Sequence, residues 1–157
     1  MTSFNEATLA QIFAADPTKN TWVSANAGSG KTRVLTDRVA RLLLNSTDPQ
    51  KILCLTYTKA AAAEMQNRLF KRLGQWAMLP DKELRAELKN LGENDSILSP
   101  SKIKQARTLF AAALETPGGL KVQTIHSFCD ALLRRFPLEA GVSPQFNMLE
   151  ERQAKQL

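Results

Sequence analysis

The sequence carries a single histidine, His126, and two cysteines, Cys54 and Cys129, far apart in unrelated local contexts. With no CxxC pair, the spacing argues against a zinc site or a disulfide framework, and the usage suits a reducing cytoplasm. Two buried thiols serving as small hydrophobes is the expected arrangement. No run of eighteen apolar residues occurs, which argues against a membrane-spanning helix. The N-terminus lacks the basic-then-apolar order of a secretory leader. Internal repeats and low-complexity tracts are absent as well. What remains is a chain of 157 residues with 43% apolar composition, enough for one compact domain with a core.

The formal net charge of +6 is unevenly distributed. Residues 51–90 hold eight basic and four acidic side chains, a net +4, and the other segments are close to neutral. A local basic excess suits a polyanionic partner, although solvated helix faces give the same count.

Ser3 with Glu6 reads as a capping box for a short helix carrying Leu9, Ile12 and Phe13 up to Asp16-Pro17. Thr21 to Ala25 reads as a short buried strand. Glycine-rich sequence follows, then a helix from about Lys31 to Asn45, with Val34, Leu35, Val39, Leu42 and Leu43 at helical spacing. Arg33, Asp37 and Arg41 line its opposite face. Ile52 to Leu55 is an unbroken apolar run, expected for a strand covered on both faces. Thr58 is placed to cap the next helix, whose inner face holds Met65, Leu69, Phe70 and Leu73.

Strand, helix, strand, helix in this order predicts an α/β fold with a parallel sheet and crossover helices. Residues 76–118 read instead as a helical insertion. One helix begins at Pro80 and buries Leu84, Leu88 and Leu91 before Gly92. A second begins at Ser99-Pro100, with Ile103, Ala106, Phe110, Ala113 and Leu114 inside, and stops at Pro117-Gly118-Gly119. Lys121 to Thr124 reads as a third strand, followed by a helix through Phe128, Leu132, Leu133 and Phe136 that Pro137 ends. On this reading residues 1–75 and 119–137 form the first part of the sheet domain, which is incomplete. Residues 138–157 then open the next subdomain, with a short strand at Phe146 to Leu149.

The strongest local signal is Ala25-Asn26-Ala27-Gly28-Ser29-Gly30-Lys31-Thr32. After a strand, the backbone must turn sharply for successive N–H groups to face phosphate oxygens, and Gly28 and Gly30 permit that path. The helix that follows presents the positive end of its dipole. Lys31 supplies a cation for the β and γ phosphates, and the Thr32 hydroxyl can ligate Mg²⁺. The common pattern G-x-x-x-x-G-K-[ST] has glycine where Ala25 stands, and alanine is small enough for a strand end. The other reading is a Gly-Ser-Gly turn capping an ordinary helix; the flanking strand and amphipathic helix favour the phosphate loop.

The order of the remaining segments resembles superfamily 1 helicases of the UvrD/RecB group, and within it the AddA family of helicase–nuclease subunits of bacterial double-strand-break repair. Val23 to Thr32 is similar to that family's Walker A motif. Leu55-Thr56-Tyr57-Thr58-Lys59-Ala60-Ala61-Ala62-Ala63-Glu64-Met65, with Arg68 beyond it, is similar to motif Ia. Thr124-Ile125-His126-Ser127-Phe128-Cys129 is similar to motif Ib. The resemblance runs from about Gln11 to Phe136 and implies a RecA-like P-loop NTPase fold. It implies ATP and Mg²⁺ as cofactors. It also implies two partners, single-stranded DNA and a second helicase–nuclease subunit.

On that resemblance Gln11 reads the adenine, Arg33 lies near base or ribose, and Thr56, Tyr57, Thr58, Lys59, His126 and Ser127 meet DNA. The chemistry agrees with the assignment. Hydroxyls and a ring N–H serve phosphates and sugars, and a base stacked on Tyr57 is worth about 1–3 kcal/mol. Bland readings stand beside these: Tyr57 as a core aromatic, His126 as a helix-start residue bonding its own backbone, Phe128 as core, Gln11 as a solvated amide, and Arg33 as the partner of Asp37. One departure is that Lys59 stands at the family's Asn position and Ala60 at its Lys position, which turns the charge about 100° around a helix.

Hydrolysis needs a carboxylate on Mg²⁺ and a group to orient water, normally from an apolar strand ending in Asp-Glu. Phe146-Asn147-Met148-Leu149-Glu150-Glu151 imitates it poorly, since Asn147 interrupts the apolar run and no Asp precedes the glutamates. Glu150 and Glu151 fit better as the opening of a C-terminal helix. The expectation is therefore a fragment of a longer helicase that binds nucleotide with little turnover. Two other classes compete: a P-loop nucleotide kinase using Arg85 and Arg107 as lid arginines, and a non-hydrolysing interaction module.

Overall fold

The computed structural model describes residues 5–24, 26, 28 and 30–147. Helix α1 spans Glu6–Ala14 and is capped by Asn5, whose side chain accepts from the Thr8 amide at 2.8 Å. Glu6 is thus the first helical residue rather than the third of a capping box, and Ser3 lies outside the described residues. The chain then turns at Asp16, and Arg38 pins that turn by donating to the carbonyls of Asp16 and Lys19, each at 2.6 Å.

Residues 21–24 do not form a buried strand. The segment has no regular structure and is exposed, Trp22 by 92%. A strand needs a ladder partner for its backbone groups, and among the described residues the sheet contains β1 (Leu53–Thr56) and β2 (Lys121–Thr124) paired with each other. The pairing is parallel, with Cys54 opposite Val122 and Thr56 opposite Thr124.

Helix α2 spans Lys31–Leu44, α3 Lys59–Met78, α4 Asp81–Asn90, α5 Pro100–Glu115 and α6 Ile125–Arg135. Thr58 caps α3 by accepting from the Ala61 amide at 3.1 Å, as its position before an amphipathic run predicts. The core joins Val39 and Leu43 of α2, Leu69, Leu73 and Trp76 of α3, Leu84 and Leu88 of α4, and Ile103 and Ala106 of α5. Helices α4 and α5 therefore share one apolar cluster with α2, α3 and Cys54 of the sheet.

Three sequence expectations are corrected by this packing. Leu53 and Leu55 are 43% and 39% exposed, so β1 is covered on one face and not both. The far side is approached by α6, which buries none of its residues. On α5 Leu109 is buried and Leu114 is 64% exposed, because Leu114 lies a further 100° round the helix from Ala113. Cys129 is exposed, leaving Cys54 as the one buried thiol. Burial pushes the Cys54 thiol up to about 11, so it is protonated at neutral pH.

The face of α2 opposite the core is covered at Asp37 and Arg41, while Arg33 stays exposed. Asp37 is buried. Arg41 bonds Glu93 Oε1 at 3.2 Å and the Ile12 carbonyl at 3.1 Å, joining α1, α2 and the turn after α4. Gly92 allows that approach: its φ is 97°, and a Cβ there would lie 2.4 Å from Ile12 Cγ2. Residues 144–147 form no strand; Met148 to Glu151, including the expected strand end and helix start, lie outside the described residues.

Candidate nucleotide and nucleic-acid site

Of the glycine-rich loop, Asn26, Gly28 and Gly30 are described; Ala25, Ala27 and Ser29 lie outside the described residues. Gly28 and Gly30 adopt φ of 79° and 92°, the left-handed conformation that their place in the loop predicts. Gly30 is the N-cap of α2 and, having no side chain, makes no side-chain cap hydrogen bond there. The Lys31 ammonium folds back across the loop and donates to the Asn26 carbonyl at 2.6 Å. Thr32, half-buried, follows on the first turn.

Helix α1 brings Gln11 to this loop. A Cβ on Gly30 would stand 3.1 Å from Gln11 Nε2, so the Gln11 amide comes close to the bare glycine. The side chain is half-buried against the loop rather than solvated. Arg33 faces the other way. Its Nε lies 3.8 Å from Asp37 Oδ2, and it lines a cavity of about 300 Å³ with Thr36, Arg68, Lys71, Arg72 and Gln75. Sequence reading did not single out this cavity. Its signal was available, since Arg68, Lys71 and Arg72 are spaced i, i+3, i+4 and share a helix face.

The second cluster stands where the two strands end. Because Thr56 and Thr124 are in register, the residues that follow them emerge side by side. Tyr57 is 80% exposed, which excludes the core reading. Its ring meets His126 edge-on, with centroids 6.4 Å apart and planes at 79°. Lys59, exposed, opens α3. The hydroxyls have local partners: Thr56 Oγ1 donates to the Thr58 carbonyl at 3.0 Å, Thr58 caps α3, and Ser127 Oγ lies 2.9 Å from Thr124 Oγ1. Thr124 is itself the cap of α6, accepting from the Ser127 amide at 3.1 Å. Arg68 belongs to the cavity beside Arg33 and is paired with Glu64 at 2.5 Å. Phe128 is half-buried in a groove with Leu53 and Leu132.

Arg85 and Arg107, the residues a kinase lid would use, hold helices together instead. Arg85 donates to the Leu98 carbonyl at 2.7 Å, and Arg107 to the Leu79 carbonyl at 2.7 Å and to Asp81 at 2.5 Å. Among the described residues no helix is long and apolar enough to cross a membrane.

Residues 5–157 match the family described as UvrD/REP helicase N-terminal domain. Similar curated proteins are named as subunits of an ATP-dependent helicase/nuclease. The one from Lactobacillus gasseri is 34% identical over 145 residues, 90% of this chain and 10% of that protein. The one from Desulforudis audaxviator is 36% identical over 139 residues, 87% of this chain and 9% of its own length. The Enterococcus faecalis protein is 30% identical over 148 residues, 94% of this chain and 10% of its own. The chain thus spans about a tenth of the length of these relatives. With that match running over nearly its whole length, the chain belongs to the UvrD/REP helicase N-terminal domain family.

Proposed function

We propose that these residues form the ATP-binding front of a DNA helicase, the first part of a RecA-like P-loop domain that moves on single-stranded DNA during double-strand-break repair. The observation that carries the proposal is the loop from Asn26 to Lys31: two left-handed glycines, a helix start without a side-chain cap, and an ammonium folded across the turn. That donor set fits a triphosphate. The backbone about Gly28 and Gly30 would cradle phosphate oxygens, and Lys31 would exchange the Asn26 carbonyl for the β and γ phosphates. Thr32 would ligate Mg²⁺, Gln11 would meet the adenine and Arg33 the base or ribose; Ala25, Asn26, Ala27 and Ser29 complete the loop. When bound, Mg-ATP supplies the energy for a cycle between two RecA-like domains.

Single-stranded DNA is proposed to cross the strand ends, with a base on Tyr57 and phosphates near Thr56, Thr58, Lys59, His126 and Ser127. Residues 76–118 serve as a helical insertion in that domain. The relatives' name supports a partner of the same enzyme, a second helicase–nuclease subunit. The sequence contains no apolar strand ending in Asp-Glu, so this chain binds nucleotide and turns it over little or not at all. The test is equilibrium binding of Mg-ATP and of oligothymidylate to the purified chain, with phosphate release measured alongside. Binding of both with no release above background is expected. Phosphate release at helicase-like rates would overturn the statement on turnover, and no binding of either ligand would overturn the proposal.

A further inference from the structure

The contact between α2 and α3 changes character along its length. Val39 and Leu43 share the apolar core with Leu69, Leu73 and Trp76, whereas nearer the start of α2 the side chains are polar and line a cavity of about 300 Å³. Arg68, Lys71, Arg72 and Gln75 fall at i, i+3, i+4 and i+7, one stripe on α3, and Arg33 and Thr36 of α2 close the other side. A stripe that is apolar on a packed helix here carries three cations. Arg72 donates to Asp37 Oδ1, and Asp37 is 8% exposed, so one wall is held by a fixed ion pair. Arg68 is paired with Glu64 at 2.5 Å, but both side chains are more than half exposed, and a surface pair of this kind exchanges readily. Arg33 Nε lies 3.8 Å from Asp37 Oδ2, too far for a hydrogen bond, and Lys71 pairs with no carboxylate among the described residues. Glu83 and Glu87 of α4 line neighbouring clefts with Arg72 and not this cavity. Four cations thus meet two carboxylates, Asp37 and Glu64, around a space open to water.

We infer that this cavity is a second anion site, which takes a phosphate group and is separate from the glycine loop. It does not rest on the nucleotide reading, because its α3 cations and Gln75 have no part in that loop. Cations converging on a concave, partly shielded space raise the local concentration of anions. Guanidinium forks match phosphate oxygens two at a time, and an ammonium adds a point charge with three donors. The exposed Gln75 amide supplies a neutral donor beside them. Asp37 is turned to its arginines and does not line the cavity. Two sources offer the required chemistry: free phosphate or pyrophosphate, and the sugar-phosphate backbone of single-stranded nucleic acid. Lys71 lies about 18 Å along α3 beyond Lys59. A strand reaching it from the ends of β1 and β2 would therefore make a contact additional to those near Tyr57.

The test uses the 157-residue chain and Lys71→Ala, a change at an exposed position that leaves the core intact. Lys104→Ala, exposed on α5, makes an equal change of charge elsewhere. In the first arm, metal-free pyrophosphate is titrated while the amide resonances of residues 33–36 and 68–75 are followed by two-dimensional NMR. A free anion in the cavity gives saturable shifts there that persist in Lys31→Ala and weaken about three- to tenfold in Lys71→Ala. In the second arm, oligothymidylate affinity is measured across salt concentrations. A backbone contact lowers the slope of log affinity against log salt by about 0.7 in Lys71→Ala, one phosphate on a single strand. In both arms Lys104→Ala should behave as the parent. A response in either arm supports the site and names its source. No dependence on Lys71 in either arm would make the stripe a solvated face and overturn the inference, as would equal effects of Lys71→Ala and Lys104→Ala. Shifts that vanish in Lys31→Ala, with the salt slope unchanged by Lys71→Ala, would put the anion in the glycine loop and also overturn it. A chain that binds pyrophosphate in the cavity but no Mg-ATP would overturn the nucleotide reading and support this site.

Discussion

Tyr57 and His126 stand edge to face, 6.4 Å between ring centroids, although 69 positions separate them in the chain. The parallel register of β1 and β2 brings them together: Thr56 and Thr124 are opposite one another, and each ring follows shortly after its threonine. An aromatic 80% exposed at that point has little folding role, so its value lies in what it meets from solution.

Tyr57→Ala is therefore expected to weaken oligothymidylate binding by about 1–3 kcal/mol, while Tyr57→Phe keeps most of the affinity. Unfolding midpoints of both variants should match the parent. Fluorescence anisotropy with urea melts checks this, and an alanine variant that binds DNA like the parent would remove Tyr57 from the interface.

Arg41 and Glu93 behave in the opposite way. Their side chains are 12% and 7% exposed, and Arg41 also holds the Ile12 carbonyl. Removing one member of a buried pair leaves the other uncompensated, so Glu93→Gln should destabilise by about 3–5 kcal/mol. The double change to Arg41→Met with Glu93→Leu should recover much of that loss. Chemical denaturation reads both, and a single variant within about 0.5 kcal/mol of the parent would contradict the packing described.

Leu73 is fully buried among α3 and its neighbours. Leu73→Ala is expected to cost about 2–5 kcal/mol, whereas Leu114→Ala, on a side chain 64% exposed, should fall within about 0.5 kcal/mol of the parent. The contrast checks the inner face of α5 as well as the core.

The thiols give a chemical test of the same packing. At neutral pH Cys129 is exposed and should react promptly with a thiol reagent; Cys54 should react only after unfolding. The unfolded Cys54 thiol ionises near its ordinary value of 9.0 and the folded one at about 11. Between those values the unfolded chain holds fewer protons, so this group lowers stability as pH rises through that window. Prompt reaction of both thiols in the native chain would contradict the burial of Cys54.

Much of this was readable from residue spacing. Thr58 and Ser99 were identifiable as caps, β2 was placed residue for residue, and α2 was placed to within one residue, because each depends on short-range pattern and capping chemistry. The misses were tertiary. An apolar segment such as residues 21–24 or 53–55 carries no record of how many neighbours will flank it, so burial was overestimated at Trp22, Leu53 and Leu55. The polar face of α2 was underestimated for the same reason: Asp37 and Arg41 resemble solvated residues until Arg72 and Glu93 arrive from 35 and 52 positions away. In the candidate site, the left-handed turns at Gly28 and Gly30 were legible because a positive φ favours glycine. The cavity beside Arg33 was not, since it exists only where α2 meets α3.

The whole account turns on whether the loop before α2 holds a triphosphate. Isothermal titration of Mg-ATP into the 157-residue chain, beside Lys31→Ala, addresses that directly. Saturable heat from the parent and at least about a tenfold weaker response from the variant are expected, since the lysine contributes charge-assisted hydrogen bonds. Equal affinity in both chains, or no heat in either at accessible concentrations, would contradict it.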